Sequence, residues 1–343
     1  MRLLILTYGS YNHSSSRIRA LQYIPSLKKS GFDKITWIPR VMKMPKFFLG
    51  RYIVFPLAKK YFLAKTFFYL YFGNFDAIYI QRHFIKNVFL LNRIQKKNIP
   101  IIFDFDDAIY IDKKGEQKNL NATVLMLKYA KKVIVSSEIL IPFCNQYNVN
   151  PTVITTPVDL QKIRNIKNSS QFTVGWIGSY STGKYIFTLN EIIKKTASEK
   201  NIFWKIMGYK GIFGNDEKRI QFKNWSIENE NNFLKSIEIG VMPLPDDDWA
   251  RAKGGYKLLL YMSYGIPVIA SPIGINKEIV EDGENGFLVT TDEEWMARIY
   301  QLQEDENLWK SMSEKAYKTI EKKYSREICY EKLDICIQQA LKK

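Results

Sequence analysis

The chain has 343 residues, of which 46% are hydrophobic and 25% charged, a composition typical of a globular protein of about two domains. Three cysteines and two histidines without ligand-like spacing support neither a disulfide framework nor a zinc site. The net charge of +17 is uneven, because residues 1–150 hold 24 Lys/Arg against 8 Asp/Glu and the rest hold 27 against 26. The first half is therefore expected to face something anionic.

Strand and helix signals alternate along the first half of the chain. Short apolar runs predict buried strands, and stretches with helical spacing lie between several of them. The predicted strands are Arg2–Tyr8, Lys34–Pro39, Ala77–Gln81, Ile101–Phe105, Lys132–Ser136 and Thr152–Thr155, with helices over Arg17–Lys29 and Ile85–Lys97. This alternation indicates βαβ units and a parallel sheet.

The pattern restarts after a polar stretch with Pro, Asn and Ser, which we interpret as a linker over 158–171. Strands are predicted at Phe172–Ile177, Trp204–Met207, Ile239–Leu244, Val268–Ser271 and Phe287–Val289, with a helix over Lys184–Ser198. The sequence thus predicts an α/β protein with two Rossmann-like domains, 1–157 and 172–323, facing across a cleft. A C-terminal helix over 324–343 is expected to pack back on the first domain.

Two adjacent glycines, Gly254 and Gly255, open a predicted helix within the stretch Lys253–Ser271. Such glycines let the backbone approach a phosphate, and a helix N-terminus favours its negative charge. Positive charge is concentrated at the same end, at Arg251, Lys253 and Lys257. On local chemistry alone, a plain strand–loop–helix connection with surface lysines is an equal alternative.

A second loop of small residues follows the predicted strand Phe172–Ile177 and leads into a helix. Its main-chain N–H groups and the lysine at the helix start could hold a diphosphate. The candidates are Gly178, Ser179, Thr182, Gly183 and Lys184. The alternative for Lys184 is an ordinary lysine in the first turn of a helix.

These motifs resemble those of the retaining glycosyltransferases of family 4, which have the GT-B architecture. The resemblance runs along most of the chain and is most specific at Lys253–Ser271, at Ser271–Val280 and at the turn Asp282–Val289. It implies a nucleotide-diphosphate sugar as co-substrate, no metal or other cofactor, and a basic residue that neutralises the leaving diphosphate. Lys184 and Lys253 are the candidates for that role.

The chain departs from the family pattern at one point. Much of the family has two glutamates eight positions apart, the later of which binds the donor ribose, whereas this sequence has Ala252 and Leu260. A leucine side chain cannot accept a hydrogen bond from a ribose hydroxyl. The segment from Lys253 through Tyr256 to Lys257 is kept instead. Glu278 could take a ribose or sugar hydroxyl, with a capping or surface role as the alternative.

Hydroxyls and arginines follow the first predicted strand at the start of a helix. Because arginine can bind a phosphate through two hydrogen bonds, this pattern suggests an anion pocket on the acceptor side. The candidates are Ser15, Ser16, Arg17 and Arg19. The alternative is a helix N-cap followed by two solvated arginines.

Acidic residues end the predicted strand Ile101–Phe105. The spacing of Asp104 and Asp106 matches a D-x-D metal motif of a different glycosyltransferase architecture, but the resemblance here is to metal-independent enzymes, so we expect no metal. Related enzymes often bring a histidine to the cleft at this strand end. Asp106 or Asp107 would replace it, and would orient the acceptor hydroxyl or stabilise positive charge on the reacting sugar. A helix or turn cap is the alternative.

The segment Arg40–Phe75 contains seven Lys/Arg, twelve Phe/Tyr and no Asp/Glu. This mixture suits the boundary between lipid headgroups and acyl chains, and no nucleic-acid recognition motif accompanies it. The alternative is a core helix with solvated lysines. The N-terminal apolar run is too short for a signal peptide, and no stretch is long enough to span a bilayer. We therefore expect a cytoplasmic protein, peripheral on the inner face of the membrane.

The resulting hypothesis is a metal-independent, retaining glycosyltransferase that acts on a lipid-linked or polysaccharide acceptor in cell-envelope glycan synthesis. Two alternatives stay open. A sugar-nucleotide epimerase of the same architecture would turn over the donor without an acceptor. A non-catalytic nucleotide-sugar-binding partner subunit is compatible with the missing glutamate at Leu260.

Overall fold

The computed structural model describes residues 1–41, 54–111, 116–161, 163, 171–200, 202–211 and 218–342. The chain divides into two compact units. The first comprises Met1–Pro157, Ala252–Gly254 and Glu327–Lys343, and the second comprises Val158–Arg251 and Gly255–Arg326. Most of the predicted linker, residues 162 and 164–170, lies outside the described residues.

The described part of the first unit contains a six-stranded parallel sheet at the positions that the sequence predicts. Its strands are β1 (Arg2–Gly9), β2 (Lys34–Val41), β3 (Ala77–Gln81), β4 (Ile101–Phe105), β5 (Lys132–Val135) and β6 (Thr152–Val153). They are arranged in the order β2-β1-β3-β4-β5-β6. The order changes direction between β1 and β3, and in such sheets this switch point is where a ligand crevice forms at the strands' carboxyl ends.

Helices cover both faces of this sheet. They are α1 (Ser14–Arg19), α2 (Ile24–Lys29), α3 (Phe55–Phe72), α4 (Val88–Lys96), α5 (Leu120–Tyr129), α6 (Ile141–Asn145) and the C-terminal helix Arg326–Leu341. Successive side chains of β1 enter different cores, because strand residues alternate between faces. Leu4 packs with side chains of α4 and α5, whereas Leu3 packs with Leu27 of α2 and Leu333 of the C-terminal helix.

The single helix predicted over Arg17–Lys29 is wrong. The chain forms α1, a short 3-10 turn over Leu21–Tyr23, and then α2. The break falls at Ala20, whose φ of −128° is not helical. Pro25 lies in the first turn of α2, where its missing N–H costs nothing, whereas inside one long helix its ring would collide with the preceding turn.

The second unit also contains a six-stranded parallel sheet within the described residues. Its strands are β7 (Thr173–Ile177), β8 (Phe203–Met207), β9 (Ile220–Lys223), β10 (Ile239–Met242), β11 (Val268–Ala270) and β12 (Gly286–Leu288). The order is β12-β11-β10-β7-β8-β9, with the switch point between β7 and β10. The sequence did not predict the edge strand β9.

The helices of the second unit are α7 (Gly183–Phe187), α8 (Asn190–Glu199), α9 (Ile227–Leu234), α10 (Asp248–Arg251), α11 (Tyr256–Met262), α12 (Asn276–Ile279), α13 (Asp292–Glu304) and α14 (Glu306–Thr319). The single helix predicted over Lys184–Ser198 is therefore two helices. They separate at Thr188, whose hydroxyl donates to the Tyr185 carbonyl and competes with the helical ladder.

Large aromatic side chains fill the core of this unit. Three of them, Trp204, Trp309 and Tyr261, form a hydrogen bond through their polar atom. The Trp204 indole N–H donates to Thr196 Oγ1 at 2.9 Å, and that of Trp309 donates to the Glu238 carbonyl at 2.9 Å. The Tyr261 hydroxyl accepts from the Ile177 N–H at 2.8 Å, which ties α11 to the end of β7. This last bond fixes α11 at the switch point of the sheet.

No helix in the described part of the chain combines the length and apolar character needed to cross a bilayer.

Candidate functional site

A tight loop of small residues occupies the carboxyl end of β7. A Cβ atom at Gly178 would lie 2.2 Å from the Trp176 ring, and one at Gly183 would lie 2.0 Å from the Tyr209 ring, so neither position has room for a side chain. The Ser179 N–H donates to Thr182 Oγ1 at 3.1 Å. The loop is therefore held close to the sheet, with its backbone at the switch point.

Lys184 is exposed in α7, directly after this loop. Its Nζ lies 5.2 Å from the centre of the neighbouring Tyr185 ring. The structure thus puts this predicted cation beside the loop that follows β7. Helix α7 has only five residues, so the lysine charge, rather than a helix dipole, would provide most of the attraction for an anion.

Lys257 approaches the same strand end from α11. Its Nζ lies 4.4 Å from the centre of the Trp176 ring, in contact range for a cation over an aromatic face. Trp176 is fully buried in β7, and its indole nitrogen finds no hydrogen-bond partner in the described residues. Lys257, one of the predicted donor-side cations, thus contacts β7 through Trp176.

Gly255 shapes the start of α11. It adopts φ +65° as the N-cap, and a Cβ there would lie 2.5 Å from Ile279 Cδ1. The helix therefore begins at Tyr256, two residues later than the sequence suggests. Tyr256 and Lys257 are half-buried. Lys253 and Gly254 are also half-buried, but they group with the first unit.

Arg251 is engaged within its own unit. Its guanidinium forms ion pairs with Asp246 at 2.6 Å and with Asp248 at 3.2 Å, and its side chain is half exposed. Its carbonyl oxygen would lie only 2.2 Å from a Cβ at Gly274, which has φ +56°. Arg251 thus helps to hold the loop before α11 in place, and its predicted phosphate contact stays a prediction.

At position 260, where the sequence lacks the expected ribose-binding glutamate, the leucine side chain offers no substitute. Leu260 is 8% exposed and belongs to the buried side of α11. Glu278 is exposed on the four-residue helix α12, which follows Gly274. Among the predicted donor residues, Glu278 is therefore the carboxylate that solvent can reach.

In the first unit, three of the four side chains of the predicted anion pocket are buried, namely Ser15, Ser16 and Arg19. Arg19 is 2% exposed and forms an ion pair with Asp104, with Nη2 and Oδ1 2.6 Å apart. Its Nη1 donates to the Ile154 carbonyl at 3.0 Å, so that it joins α1 to β4 and to the residue after β6. This arginine serves an internal ion pair, because it lies on the side of α1 that faces the sheet.

The neighbouring serines are also used internally. Ser16 is fully buried; it donates to the Gln81 side chain at 3.2 Å and accepts from the Gly9 N–H at 3.0 Å. Ser15 donates to the Asp106 carboxylate. Arg17 is half-buried and donates to the Tyr11 carbonyl at 3.4 Å, which leaves it as the predicted acceptor-side arginine nearest to solvent.

Asp106 and Asp107 share one cation at the carboxyl end of β4. Arg82, the residue after β3, places Nη1 3.2 Å from an oxygen of each carboxylate. Burial raises the pKa of Asp106, but the charges of Arg82 and Arg19 and the hydrogen bond from Ser15 outweigh it, so that the pKa lies below its usual value. Asp106 is therefore ionised at neutral pH.

Sequence reasoning missed Arg82 and His13, which complete this cluster. Arg82 has φ +48°, a left-handed conformation that is uncommon for a residue with a side chain and often marks functional sites. Burial, together with the charge of Arg82, lowers the pKa of His13, whose Nδ1 has no partner in the described part of the chain. Their positions in the chain could have indicated them, because Arg82 directly follows β3 and His13 lies in the loop after β1.

No group of three or more His, Cys, Asp or Glu side chains in the described ranges could hold a metal ion. The carboxylates at the end of β4 are paired with arginines instead. The arrangement in the first unit is thus a polar cluster with a neutral imidazole and an ionised carboxylate. Such a cluster can accept hydrogen bonds from a hydroxyl group and stabilise positive charge.

Comparison with known proteins agrees with this picture. Residues 171–305 match a family model described as glycosyl transferases group 1. No curated protein matches the chain. These residues form most of the second unit, where the Gly178 loop and Lys257 lie.

Several solved structures share the fold. A variant of S. aureus TarM in complex with fondaparinux, alpha-GlcNAc-glycerol and UDP has a TM-score of 0.64 at 20% identity, covering 82% of this chain but only 59% of TarM. Anabaena HepE in complex with UDP and glucose has a TM-score of 0.67 at 16% identity, over 99% of this chain and 100% of HepE. The lipopolysaccharide outer core galactosyltransferase WaaB has a TM-score of 0.67 at 12% identity, over 99% of both chains.

The two-domain α/β fold predicted from the sequence is confirmed by these neighbours and by the two parallel sheets. The family match thus concerns residues 171–305, and the three solved structures show a shared fold.

Proposed function

We propose that the protein transfers a sugar from a nucleotide-diphosphate donor to a lipid-linked or glycan acceptor, with retention at the anomeric carbon and without a metal ion. One observation carries the donor assignment: Lys257 lies over Trp176 at the carboxyl end of β7, next to the tight Gly178 loop. The group 1 match covers these elements, and HepE and TarM were both crystallised with UDP.

The cations of the second unit would stabilise the leaving group. As the bond between the anomeric carbon and the diphosphate oxygen breaks, negative charge develops on the diphosphate. Lys184 and Lys257 would offset that charge, with backbone N–H groups of the Gly178 loop as further donors. Lys253 is the third candidate cation. The resemblance to family 4 implies that the acceptor oxygen attacks from the same face.

Ribose recognition would differ from that of most relatives of this type. Leu260 is packed inside the unit and cannot accept a hydrogen bond. Glu278 is the accessible carboxylate among the candidates, so we propose that it takes a ribose or sugar hydroxyl. A Glu278→Gln variant should then bind the sugar nucleotide more weakly while it folds normally.

The acceptor would be oriented by the cluster at the end of β4. Asp106 is ionised, and Ser15 and Arg82 hold its carboxylate in place. It can accept a hydrogen bond from the attacking hydroxyl or stabilise positive charge on the sugar ring. His13, neutral at physiological pH, is a second acceptor or donor in the same cluster.

A two-stage experiment tests this function. The first stage is a thermal-shift screen of UDP, GDP, ADP and CMP and their sugars, since a ligand at about 100 times its Kd adds about 2.7 kcal/mol of stability. The second stage measures sugar transfer from the stabilising donor to lipid-linked acceptors. Transfer supports the proposal. Donor turnover without an acceptor would indicate an epimerase, and binding without turnover would indicate a non-catalytic subunit.

A further inference from the structure

Exposed apolar side chains are concentrated in one part of the first unit. Seventeen large hydrophobic side chains of the described residues are exposed, and nine of them fall between Val54 and Phe89. Scattered exposed apolar residues are normal in proteins, but a contiguous patch indicates an interaction surface. Residues 42–53, the first part of the aromatic segment identified in the sequence, lie outside the described residues.

Helix α3 carries most of this patch on its outer side. Leu57, Tyr61, Phe68 and Phe72 are between 57% and 63% exposed. Their spacings of 4, 7 and 4 residues place them in one stripe along the helix. The opposite side packs on the core of the unit through Phe62, Tyr69 and Leu70. The helix is therefore neither a fully buried core helix nor an ordinary surface helix with a polar outer face.

Helix α4 extends the stripe. Phe89 is 62% exposed, and its ring stacks with that of Tyr71 at 6.1 Å between centroids. The Tyr71 ring in turn contacts that of Phe72 at 4.7 Å. We call Leu57, Tyr61, Phe68, Phe72 and Phe89 the α3–α4 apolar surface.

Cations fix the geometry of this surface at its junction. Arg93 donates to the Tyr71 carbonyl at 3.1 Å, and its guanidinium lies 4.0 Å from the centre of the Tyr71 ring. Lys97 donates to the carbonyls of Tyr71 and Gly73 at 3.2 and 3.3 Å. Both side chains satisfy carbonyl groups at the end of α3, as basic residues commonly do there. The two helices therefore present one preorganised surface.

The charge around the apolar surface has a single sign. Between Lys34 and Phe75, and again over Val88–Lys97, the sequence has no Asp or Glu. Lys59 and Lys60 of α3 and Lys96 of α4 are exposed. An open depression of about 570 Å³ adjoins Phe89 and is lined by Asn92, Arg93, Gln95, Lys96 and Lys97. The partner must therefore be apolar in one layer and anionic in the adjacent layer.

We propose that the α3–α4 apolar surface docks on an anionic lipid bilayer, with the aromatic side chains in the boundary between headgroups and acyl chains and the lysines among the headgroup phosphates. Lipid bilayers combine both layers over a wide area, as an amphipathic interfacial helix requires. A nucleic acid would satisfy the lysines but would leave aliphatic Leu57 and the aromatic stripe exposed. The proposal goes beyond sugar transfer and can be tested without any donor.

The test is sedimentation of the full-length chain with phosphatidylcholine vesicles, with and without phosphatidylglycerol, at low and high salt. Wild type should sediment only with the anionic vesicles, and high salt should weaken the binding. The triple variant Lys59→Gln, Lys60→Gln, Lys96→Gln should bind about a hundredfold more weakly, at about fivefold for each lysine. A matched control, Lys310→Gln, Lys318→Gln, Lys322→Gln, removes equal charge from exposed positions of the second unit and should bind like wild type.

The apolar contribution has its own variant pair. Phe68→Ser with Phe72→Ser should lower vesicle binding by about tenfold or more, because two exposed aromatic rings no longer enter the bilayer. Phe187→Ser, at a 48% exposed position of the second unit, is the control and should have no effect. A Tyr61→Trp reporter should show a blue-shifted emission and quenching by brominated acyl chains when anionic vesicles are added.

Three outcomes would overturn the proposal. Equal binding to neutral and anionic vesicles would remove the charge argument. If the lysine variant and the phenylalanine variant both bound vesicles as strongly as wild type, the contact would lie elsewhere on the protein. Retention of single-stranded RNA that the lysine variant loses, without any vesicle binding, would identify a nucleic-acid surface. Sugar transfer to a soluble acceptor by the same variants would show that a loss of vesicle binding is separate from catalysis.

Discussion

Replacement of Lys257 by methionine tests the donor site most directly. The ammonium group of Lys257 lies 4.4 Å from the centre of the Trp176 ring, at the carboxyl end of β7. Methionine keeps a long flexible apolar chain that can still contact the Trp176 ring. The substitution therefore removes the charge and keeps an apolar contact with the ring.

The expected effect follows from the charge that is lost. Two unit charges about 4 Å apart interact by about 4 kcal/mol at an effective dielectric constant of about 20. Because Lys257 is half-buried, solvent screens part of this energy, and the net contribution of a hydrogen bond to a charged group is about 1.5–3 kcal/mol. We therefore expect kcat/KM to fall by about tenfold to a hundredfold. Loss of the cation–π contact should cost about 0.5–1 kcal/mol of folding stability.

The assay compares Lys257→Met with Lys257→Arg and with Lys310→Met, which removes an exposed lysine from α14 of the same unit. Steady-state transfer and isothermal titration with the nucleoside diphosphate and with the nucleoside alone are measured for each. The diphosphate should lose affinity in Lys257→Met, whereas the nucleoside should not, and the arginine variant should retain part of the activity. Wild-type kcat/KM in Lys257→Met, or an equal loss for diphosphate and nucleoside, would refute the phosphate role.

Two further predictions concern the loops that shape each unit. Arg82→Gln should raise the pKa of Asp106, because its burial remains while a neighbouring positive charge is lost. In wild type, the ionised Asp106 carboxylate stabilises the fold at pH values above its unfolded pKa of about 3.9, and this stabilisation is lost as the pH falls below that value. Because the pKa of Asp106 is higher in the variant, the variant should lose activity and stability at a higher pH than wild type. Gly274→Ala should destabilise the protein by about 2–4 kcal/mol in urea unfolding, since the position has φ +56° and a Cβ would lie 2.2 Å from the Arg251 carbonyl. Gly283→Ala, at φ +76° with nothing within 4 Å, should cost only about 1–2 kcal/mol, and equal losses in the two variants would show that the clash has no effect.

The sheets could be predicted from the sequence because their strands are buried on both faces. A strand such as Ile101–Phe105 is apolar at most positions, and five residues between polar stretches leave few alternatives. The edge strand β9 was missed because it lacks this pattern. Only one face of Ile220–Lys223 is well buried, and its apolar run is short. Helix boundaries were less predictable, since the breaks at Ala20 and Thr188 depend on local backbone competition.

The chemistry of individual side chains was harder to predict than the fold. Arg17 and Arg19 are two residues apart and look equivalent in the sequence. A helix turns by about 200° over two residues, so that one arginine faces the sheet and the other faces outward. Only the fold brings Asp104 to the inward one. Arg82 could not be identified either, because its two carboxylate partners belong to a different strand end.

The inward position of Arg19 also changes the explanation of the charge imbalance. Three of the eight acidic residues in the first 150, Asp104, Asp106 and Asp107, are paired with Arg19 and Arg82. Removing these internal partners leaves 22 basic and 5 acidic residues, so the excess positive charge does not arise from the internal ion pairs. We therefore expect this charge to face something anionic outside the unit. In the sequence, the acid-free stretches Lys34–Phe75 and Val88–Lys97 carry much of it, and α3 and α4, which lie within them, carry exposed aromatic rings. The imbalance thus supports contact with an extended anionic surface more strongly than capture of a single phosphate group.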